Sequence, residues 1–398
     1  MYMHLIKMIW NRKRANGLII AEVAIAFVVI FAVAVLSIRN YNLMQIPLGF
    51  EYDNMWRLQV MKSGAWDGST DGETFQQIVA AVEQLPEVDN LSLLSNATFR
   101  NWTSTRSFQV DDKFVFYYMN FFDDRAANNF DMTLLEGRWF GPQDSNQNYD
   151  AVLVNKTFVE KFYPNGDVLG KNIVKIDPDE IDREQTEQIV VGVFDDFRQF
   201  GELVPQSPYV FFRVDAEQNK RNLGIEISLN PNVDEVFEQR LLTMLRGLAP
   251  EYSYSFTSWA NSRDSQLRQT TTPLAIFGVI AAFLILMVAM GLFGVLWQNV
   301  STRTHEIGLR RALGASASGI HRQIMSELII VTLIGVLIAF IGLVQLPVLG
   351  VFQELDWSLF WLSFIAALVF MVSLSALCAF YPGKVATGYS PSEALHYE

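Results

Sequence analysis

The stretch STRTHEIGLRRALGAS, from Ser301 to Ser316, gathers Arg303, Glu306, Arg310 and Arg311 and then stops on Leu313-Gly314-Ala315. A long apolar run precedes it and another follows, with no room between them for a domain. Two apolar runs joined by a short charged block form a hairpin of membrane helices, and the block is its water-facing corner.

Working outward, four windows are nearly free of charge: Leu18–Ile38, Pro273–Trp297, Ile324–Leu346 and Ser358–Tyr381. Each has about 20 residues or more, enough at ~1.5 Å per residue to cross a hydrocarbon core of ~30 Å. They are read as transmembrane helices whose outer surfaces meet membrane lipid. Ala32-Val33-Ala34 resembles a signal-peptide cleavage site. The run around it exceeds the usual ~7–15-residue apolar core of such a signal, so a retained span is expected.

Charge between the windows sets orientation. Lys7, Arg12, Lys13 and Arg14 precede the first, Arg303, Arg310, Arg311 and Arg322 join the second to the third, and Lys384 follows the fourth. By the positive-inside rule these segments face the cytoplasm. The turn from Pro347 to Trp357 has Glu354 and Asp356 and no base, so it faces outward. The expected layout is an amphipathic cytoplasmic helix over 1–16, spans over 17–39, 273–298, 323–346 and 358–381, a cytoplasmic segment over 299–322, an outer turn over 347–357 and a cytoplasmic tail over 382–398. The outer domain occupies 40–272. A multi-pass protein of the inner (cytoplasmic) membrane follows, with both termini cytoplasmic and the large domain periplasmic.

The chain of 398 residues is 51% hydrophobic yet has a net charge of −12. The segment 40–272 carries 20 Lys and Arg against 35 Asp and Glu, a balance of −15. Such an acidic domain is unsuited to nucleic acid or to anionic lipid. The single cysteine, Cys378, lies in the fourth span, so the outer domain is held by its core without disulfides.

Within that domain two stretches read strand–helix–strand. In one, Asn54–Met61 and Val88–Leu94 flank a helix over Glu73–Leu85 with Phe75, Ile78, Val79 and Val82 on one face. In the other, Leu223–Leu229 and Tyr252–Thr257 flank a helix over Val233–Leu248. The pair predicts a split ferredoxin-like layer, to which Ser207–Val214 adds a further strand. The insertion from roughly 99 to 205 is rich in short strands with Gly and Asn between them. The fold class is an α+β membrane protein: four transmembrane helices, with a large extracytoplasmic α+β domain between the first and second.

Catalytic chemistry is hard to place. His4, His305, His321 and His396 all fall in segments read as cytoplasmic, which removes His-based acid–base catalysis and His-ligated zinc from the outer domain. Asp111-Asp112, Asp123-Asp124 and Asp195-Asp196 are adjacent acids, which point to opposite faces of a strand and make poor couples. A carboxylate-only glycosidase is not ruled out by residue type, but nothing positions one. Gly166-Asp167-Val168-Leu169-Gly170-Lys171-Asn172 has three residues between its glycines where a phosphate loop has four, and Asn where Ser or Thr would hold magnesium. No catalytic, cofactor-binding or metal-binding residue is expected in this chain.

Two features inside the spans stay open. Glu22 lies about four residues inside the first window, where it can pair with a basic neighbour or meet water; a structural pair is preferred to a role in proton movement. Gly278, Gly291, Gly294, Gly335 and Gly342 either admit close helix approach or face lipid.

In the opening block, Leu309, Ala312 and Leu313 share a helical face. Gly314 can end that helix in the left-handed conformation, and Ser316 or Ser318 can cap the next. By physics alone the basic residues could merely set topology. However, Glu306-Ile307-Gly308, Arg311-Ala312 and Gly314-Ala315-Ser316, followed by Ile320, Gln323 and Glu327, resemble the signature of MacB/FtsX-type permeases of ABC transporters. The phrases FDMTLLEGRWFGPQD, AVLVNKTFVEKFYPNGDVLGKNI and IVVGVFDDFR are similar to the MacB-like periplasmic core. Tyr381-Pro382 and Pro391-Ser392-Glu393-Ala394-Leu395 resemble that family's closing motif.

The resemblance implies a non-catalytic permease subunit of a MacB-like (type VII) complex. A partner ABC ATPase dimer on the cytoplasmic side would supply ATP and magnesium chemistry in trans. Glu306, Ile307, Leu309, Arg310, Arg311, Leu313 and Gly314 would form the coupling helix, with Arg310 and Arg311 pairing with acids of the ATPase and Leu309 and Leu313 filling its apolar pockets. The outer domain would divide into a porter (about 50–98 and 206–262) and an inserted sabre (about 99–205). A second permease copy or homologous half, and a periplasmic adaptor, are the further partners. By this mechanotransmission, ATP hydrolysis would drive export or extraction of a peptide, lipoprotein or amphiphile. The alternative is an FtsX-like regulator that activates a periplasmic cell-wall hydrolase and moves no cargo. The size of the outer domain favours the first. A membrane-anchored receptor or outer-face enzyme would need an output domain or a catalytic group, and neither is visible.

Overall fold

A computed structural model describes residues 13–62, 70–110, 113–145, 147–173, 186–214, 223–231, 233, 236–302, 304–350, 352 and 355–388. Most of the expected helix over 1–16, the Asp111-Asp112 pair, Arg303, Glu354, His4, His396 and the closing motif from Pro391 lie outside the described residues. The chain forms two compact units, residues 1–42 with 271–398 and residues 43–270.

The first unit is helical. Its long elements are α1 (Lys13–Met44), the latter part of α6 (Trp259–Thr302), α8 (Ala317–Leu343) and α10 (Trp357–Gly388), with α7 (Thr304–Ala312) and α9 (Gln345–Val348) between them. Among the described residues, four helical stretches are long and apolar enough to cross a membrane: Gly17–Met44, Trp259–Thr302, Ala317–Val348 and Trp357–Val385. Their shared core includes Val23, Phe27 and Phe31 of α1, Leu292 of α6, Val336 of α8 and Phe360 of α10. Glycine settles part of that packing. A Cβ on Gly335 would lie 2.7 Å from Val23 Cγ1 and 3.0 Å from the Ile20 carbonyl oxygen, so α1 and α8 approach closely there. Gly291 of α6 faces the Glu22 carboxyl, whose Oε2 would lie 2.7 Å from such a Cβ. Gly278, Gly294 and Gly342 face open space. A hydrogen bond of 2.8 Å between Thr332 and Ser375 joins α8 to α10. Asp356 caps α10, accepting from the Leu359 N–H at 2.9 Å.

The second unit is built on one sheet of ten strands among the described residues: β1 (Met55–Lys62), β2 (Val88–Leu94), β3 (Ser104–Val110), β4 (Lys113–Phe122), β5 (Leu134–Gly137), β6 (Tyr149–Asn155), β7 (Glu187–Phe194), β8 (Tyr209–Arg213), β9 (Gly224–Leu229) and β10 (Tyr252–Ser258). Their order is β10-β1-β9-β2-β4-β8-β6-β7-β5, with β3 paired to β4. The block β10-β1-β9-β2 is antiparallel throughout and is the ferredoxin-like arrangement of two strand–helix–strand units. Its helices, α2 (Thr70–Glu83) and α5 (Phe237–Leu248), press Phe75, Ile78, Val79 and Val82 and Phe237, Leu241 and Leu245 onto Leu58, Leu93, Ile225 and Ile227. The opposite face, which takes in Ala126 of the single-turn helix α3 (Ala126–Asn129), buries Phe50, Phe99, Phe130 and Trp259 with strand residues such as Phe122 and Phe211.

The structure differs from expectation in how the insertion attaches. Its strands extend the same sheet. β2 meets β4 through the single register pair Leu94 and Phe122. The strand expected over Ser207–Val214 forms as β8, parallel to β4 and antiparallel to β6. It therefore joins the inserted strands instead of the ferredoxin-like four. A long-range parallel pairing of this kind leaves no mark in local periodicity.

Two sequence phrases acquire local reasons. In GRWFGPQD, Gly137 is left-handed at φ 74° and Arg138 forks onto Asp144 at 2.5 and 2.6 Å, while the Gly141 N–H also reaches Asp144 at 3.0 Å. In AVLVNKTF, the Asn155 side chain caps α4 (Lys156–Phe162), accepting from Phe158 N–H at 3.0 Å. Its oxygen also accepts from Tyr209 N–H at 2.7 Å, and its amide donates to Asp196 and Ser207.

Candidate functional site

The corner between α6 and α8 is made by the chain's own local chemistry. α7 ends where Leu313 N–H bonds Leu309 C=O at 3.0 Å and Ala315 N–H reaches back to Arg310 C=O at 2.9 Å. Gly314 between them has φ 98°, a conformation open to glycine and costly to other residues. The long backward bond plus a left-handed glycine is a Schellman stop, which satisfies carbonyls that a helix end leaves unpaired. Ser316 then caps α8, its hydroxyl accepting from Gly319 N–H at 3.2 Å. Gly314 ends the helix as the sequence suggests, and of the two serines it offers as caps, Ser316 is the one used.

The seven residues singled out in sequence do not act alike. Ile307 faces inward and is buried against Val300 and Ile320, with Ile324 alongside. Glu306 and Arg310 lie one turn apart and pair at 2.5 Å. Arg310 also donates to Gln323 Oε1 of α8 at 3.2 Å, and Gln323 in turn donates to Glu327 Oε1 at 3.3 Å. Leu309 and Leu313 point outward, 47% and 80% exposed, with Ala312 and Gly314 also exposed beside them. Arg311 lies on the same helix, with its side chain outside the described set. The corner therefore has an inner face that fastens α7 to α8 and an outer apolar face with no cover from the described residues of this chain. In the sequence Gln323 and Glu327 stand only as letters of a motif. Their spacing of one helical turn was the available signal that they share a face.

The other chemistry-bearing residues are structurally engaged. Asp124 forks onto Arg213 at 2.7 and 2.8 Å, Asp123 accepts from Arg125 at 2.9 Å, and Asp196 accepts from Asn155, Gln206 and the Thr157 N–H. In the Gly166–Asn172 loop, the Gly170 N–H bonds Val190 C=O at 2.8 Å and the Lys171 carbonyl accepts from Val190 N–H at 3.0 Å. That loop is a turn stitched to β7.

Comparison with known proteins now identifies the family. Residues 18–243, more than half the chain, match the MacB-like periplasmic core domain, and residues 278–391 match the FtsX-like permease C-terminal domain. The Macrolide export ATP-binding/permease protein MacB of Neisseria meningitidis serogroup A / serotype 4A (strain DSM 15465 / Z2491) is 24% identical over 273 residues, which cover 66% of this chain and 41% of that protein. The chain thus spans about two fifths of the length of the Neisseria MacB relatives it matches. The Uncharacterized ABC transporter permease YvrN of Bacillus subtilis (strain 168) is 23% identical over 297 residues, 69% of each chain. Among solved structures, the periplasmic region of MacB from Actinobacillus actinomycetemcomitans aligns at 14% identity and a TM-score of 0.36, covering 55% of this chain and 92% of that one. Four membrane-length apolar helices and a periplasmic core domain together describe a membrane protein of known kind. The chain belongs to the MacB/FtsX-type family of ABC transporter permeases.

Proposed function

We propose that this chain is the permease subunit of a MacB-like (type VII) ABC complex. A separate ATPase dimer supplies ATP hydrolysis, and this chain turns it into motion of the periplasmic domain that exports or extracts a peptide, lipoprotein or amphiphile. The observation that carries the reading is the outer face of α7: Leu309 and Leu313 stand exposed on a short helix locked between two membrane-length helices. Apolar side chains held out of the membrane on a rigid corner fit a protein groove. The basic residues Arg310, Arg311, Arg322 and Lys384 support a cytoplasmic side for that corner, where nucleotide is. The MacB relatives are named for ATP-binding and permease functions in one protein, and the Bacillus subtilis relative is named as an ABC transporter permease. A second permease copy completes the complex, and a periplasmic adaptor takes up the cargo.

The test is co-purification of the full chain with candidate ABC ATPases. Leu309→Glu with Leu313→Glu should abolish association or uncouple ATP hydrolysis. A complex that forms and works unchanged would reject α7 as the docking element.

A further inference from the structure

Four polar side chains run in series across the Gly314 corner. Glu306 holds Arg310 at 2.5 Å, Arg310 holds Gln323 at 3.2 Å, and Gln323 holds Glu327 at 3.3 Å. The first and last links each join residues four apart on one helix; only the middle link passes from α7 to α8. Beneath the series lie Ile307, Ile320, Ile324 and Val300. An exposed ion pair within one helix holds little by itself and cannot brace a corner. Gln323 is the side chain that does both jobs: its oxygen accepts from the guanidinium and its nitrogen donates to the carboxylate. A carboxylate there would repel Glu327, and an apolar group would leave both charges unbridged.

We propose that Gln323 is a positioning residue that locks α7 to α8, so that force applied at Leu309 and Leu313 moves α8 instead of bending the corner. This rests on α7 being the ATPase-docking element. Backbone at Gly314 fixes where the chain turns, and Gln323 fixes how stiffly it holds the turn. Docking uses the outer face and stiffness uses the inner one, so the two properties are separable by mutation.

The experiment uses the full-length chain in lipid nanodiscs, alone and with an ABC ATPase that co-purifies with the wild type. In the chain alone, Gln323→Leu should speed hydrogen exchange at the Leu313 and Ala315 amides by about 5-fold, as expected for loss of one hydrogen bond. With the ATPase, the same change should leave association near wild type while permease-dependent stimulation of ATP hydrolysis falls about 5-fold or more, the scale of an allosteric coupling term. Gln323→Glu combined with Glu327→Gln keeps the net charge, one acceptor for Arg310 and one amide donor, and should restore both readouts. Unchanged exchange and stimulation in Gln323→Leu would overturn the proposal. So would a double change no better than the single one, or loss of association in a well-folded Gln323→Leu chain, which would put Gln323 in the docking surface. If Leu309→Glu with Leu313→Glu keeps its ATPase, the docking reading fails instead, while the exchange measurement still reports on the lock.

Discussion

Arg57 and Glu226 stand directly opposite each other on the antiparallel strands β1 and β9, with their side chains almost fully withdrawn from water. The guanidinium also donates to the Ser95 carbonyl at 3.0 Å and to Gln59 at 3.1 Å, and Glu226 accepts from the Trp259 indole N–H at 2.8 Å. Gly224 is part of this arrangement: a Cβ there would lie 2.2 Å from the Arg57 guanidinium carbon.

Removing one partner leaves the other charge buried and unmatched. Glu226→Leu should therefore cost about 3–5 kcal/mol. Arg57→Met combined with Glu226→Leu should cost less than the single change, because neither charge remains. Thermal unfolding of the detergent-solubilised chain and these two variants checks the order; a double variant less stable than Glu226→Leu would contradict it.

Asp144 supplies a pH signature. Burial alone would raise its carboxyl, but the Arg138 guanidinium and the Gly141 N–H outweigh that and hold it below the ordinary carboxylate value. A lowered folded-state value means the contribution is complete above the unfolded value of about 3.9 and disappears as pH falls through the folded one. Asp144→Asn should cost about 1.5–3 kcal/mol at neutral pH. The stability gap from wild type should stay level down to about pH 5 and narrow below pH 4. A gap that widens on acidification would show the sign to be wrong.

The glycines of the membrane unit divide into two kinds. Gly335→Leu must displace Val23 or the backbone at Ile20 and should destabilise by about 1–3 kcal/mol. Gly342→Leu meets open space and should be close to neutral. Melting temperature and monodispersity on gel filtration compare them, and equal effects would mean the α1–α8 approach is not as close as described.

At Gly314, a valine would be forced into the left-handed region at a cost of about 1–3 kcal/mol. Gly314→Val should expose the Ala315 amide, whose bond to Arg310 C=O closes the corner, to faster hydrogen exchange. Unaltered protection at Ala315 would show that the turn does not need glycine.

What could be read in advance was whatever leaves a local mark. The four membrane-length runs, the helical face of Phe75, Ile78, Val79 and Val82, the Gly314 stop and the Ser316 cap are all set by neighbours within a turn or two. Arg57 was illegible because Met55–Lys62 alternates apolar and polar residues like a strand with one wet face. The cover over that face, Trp259 and Glu226, comes from about 170 to 200 residues away. The spacing of Glu306 and Arg310 marks their pairing, but nothing local marks the link from Arg310 to Gln323, which lies beyond the corner. Gly335 and Gly342 look alike in sequence, and only the place where α1 crosses α8 separates them.

The border between β2 and β4 has its own consequence. Leu94 and Phe122 are the one register pair there, and the Asn120 side chain supplies what further rungs would, accepting from Asn96 N–H at 2.9 Å and donating to Asn96 C=O at 2.9 Å. A sheet yields first where its ladder is thinnest. The large domain thus carries a crease between two stiff flaps, splinted by the paired amides of Asn96 and Asn120, and a twisting load applied across it bears on both.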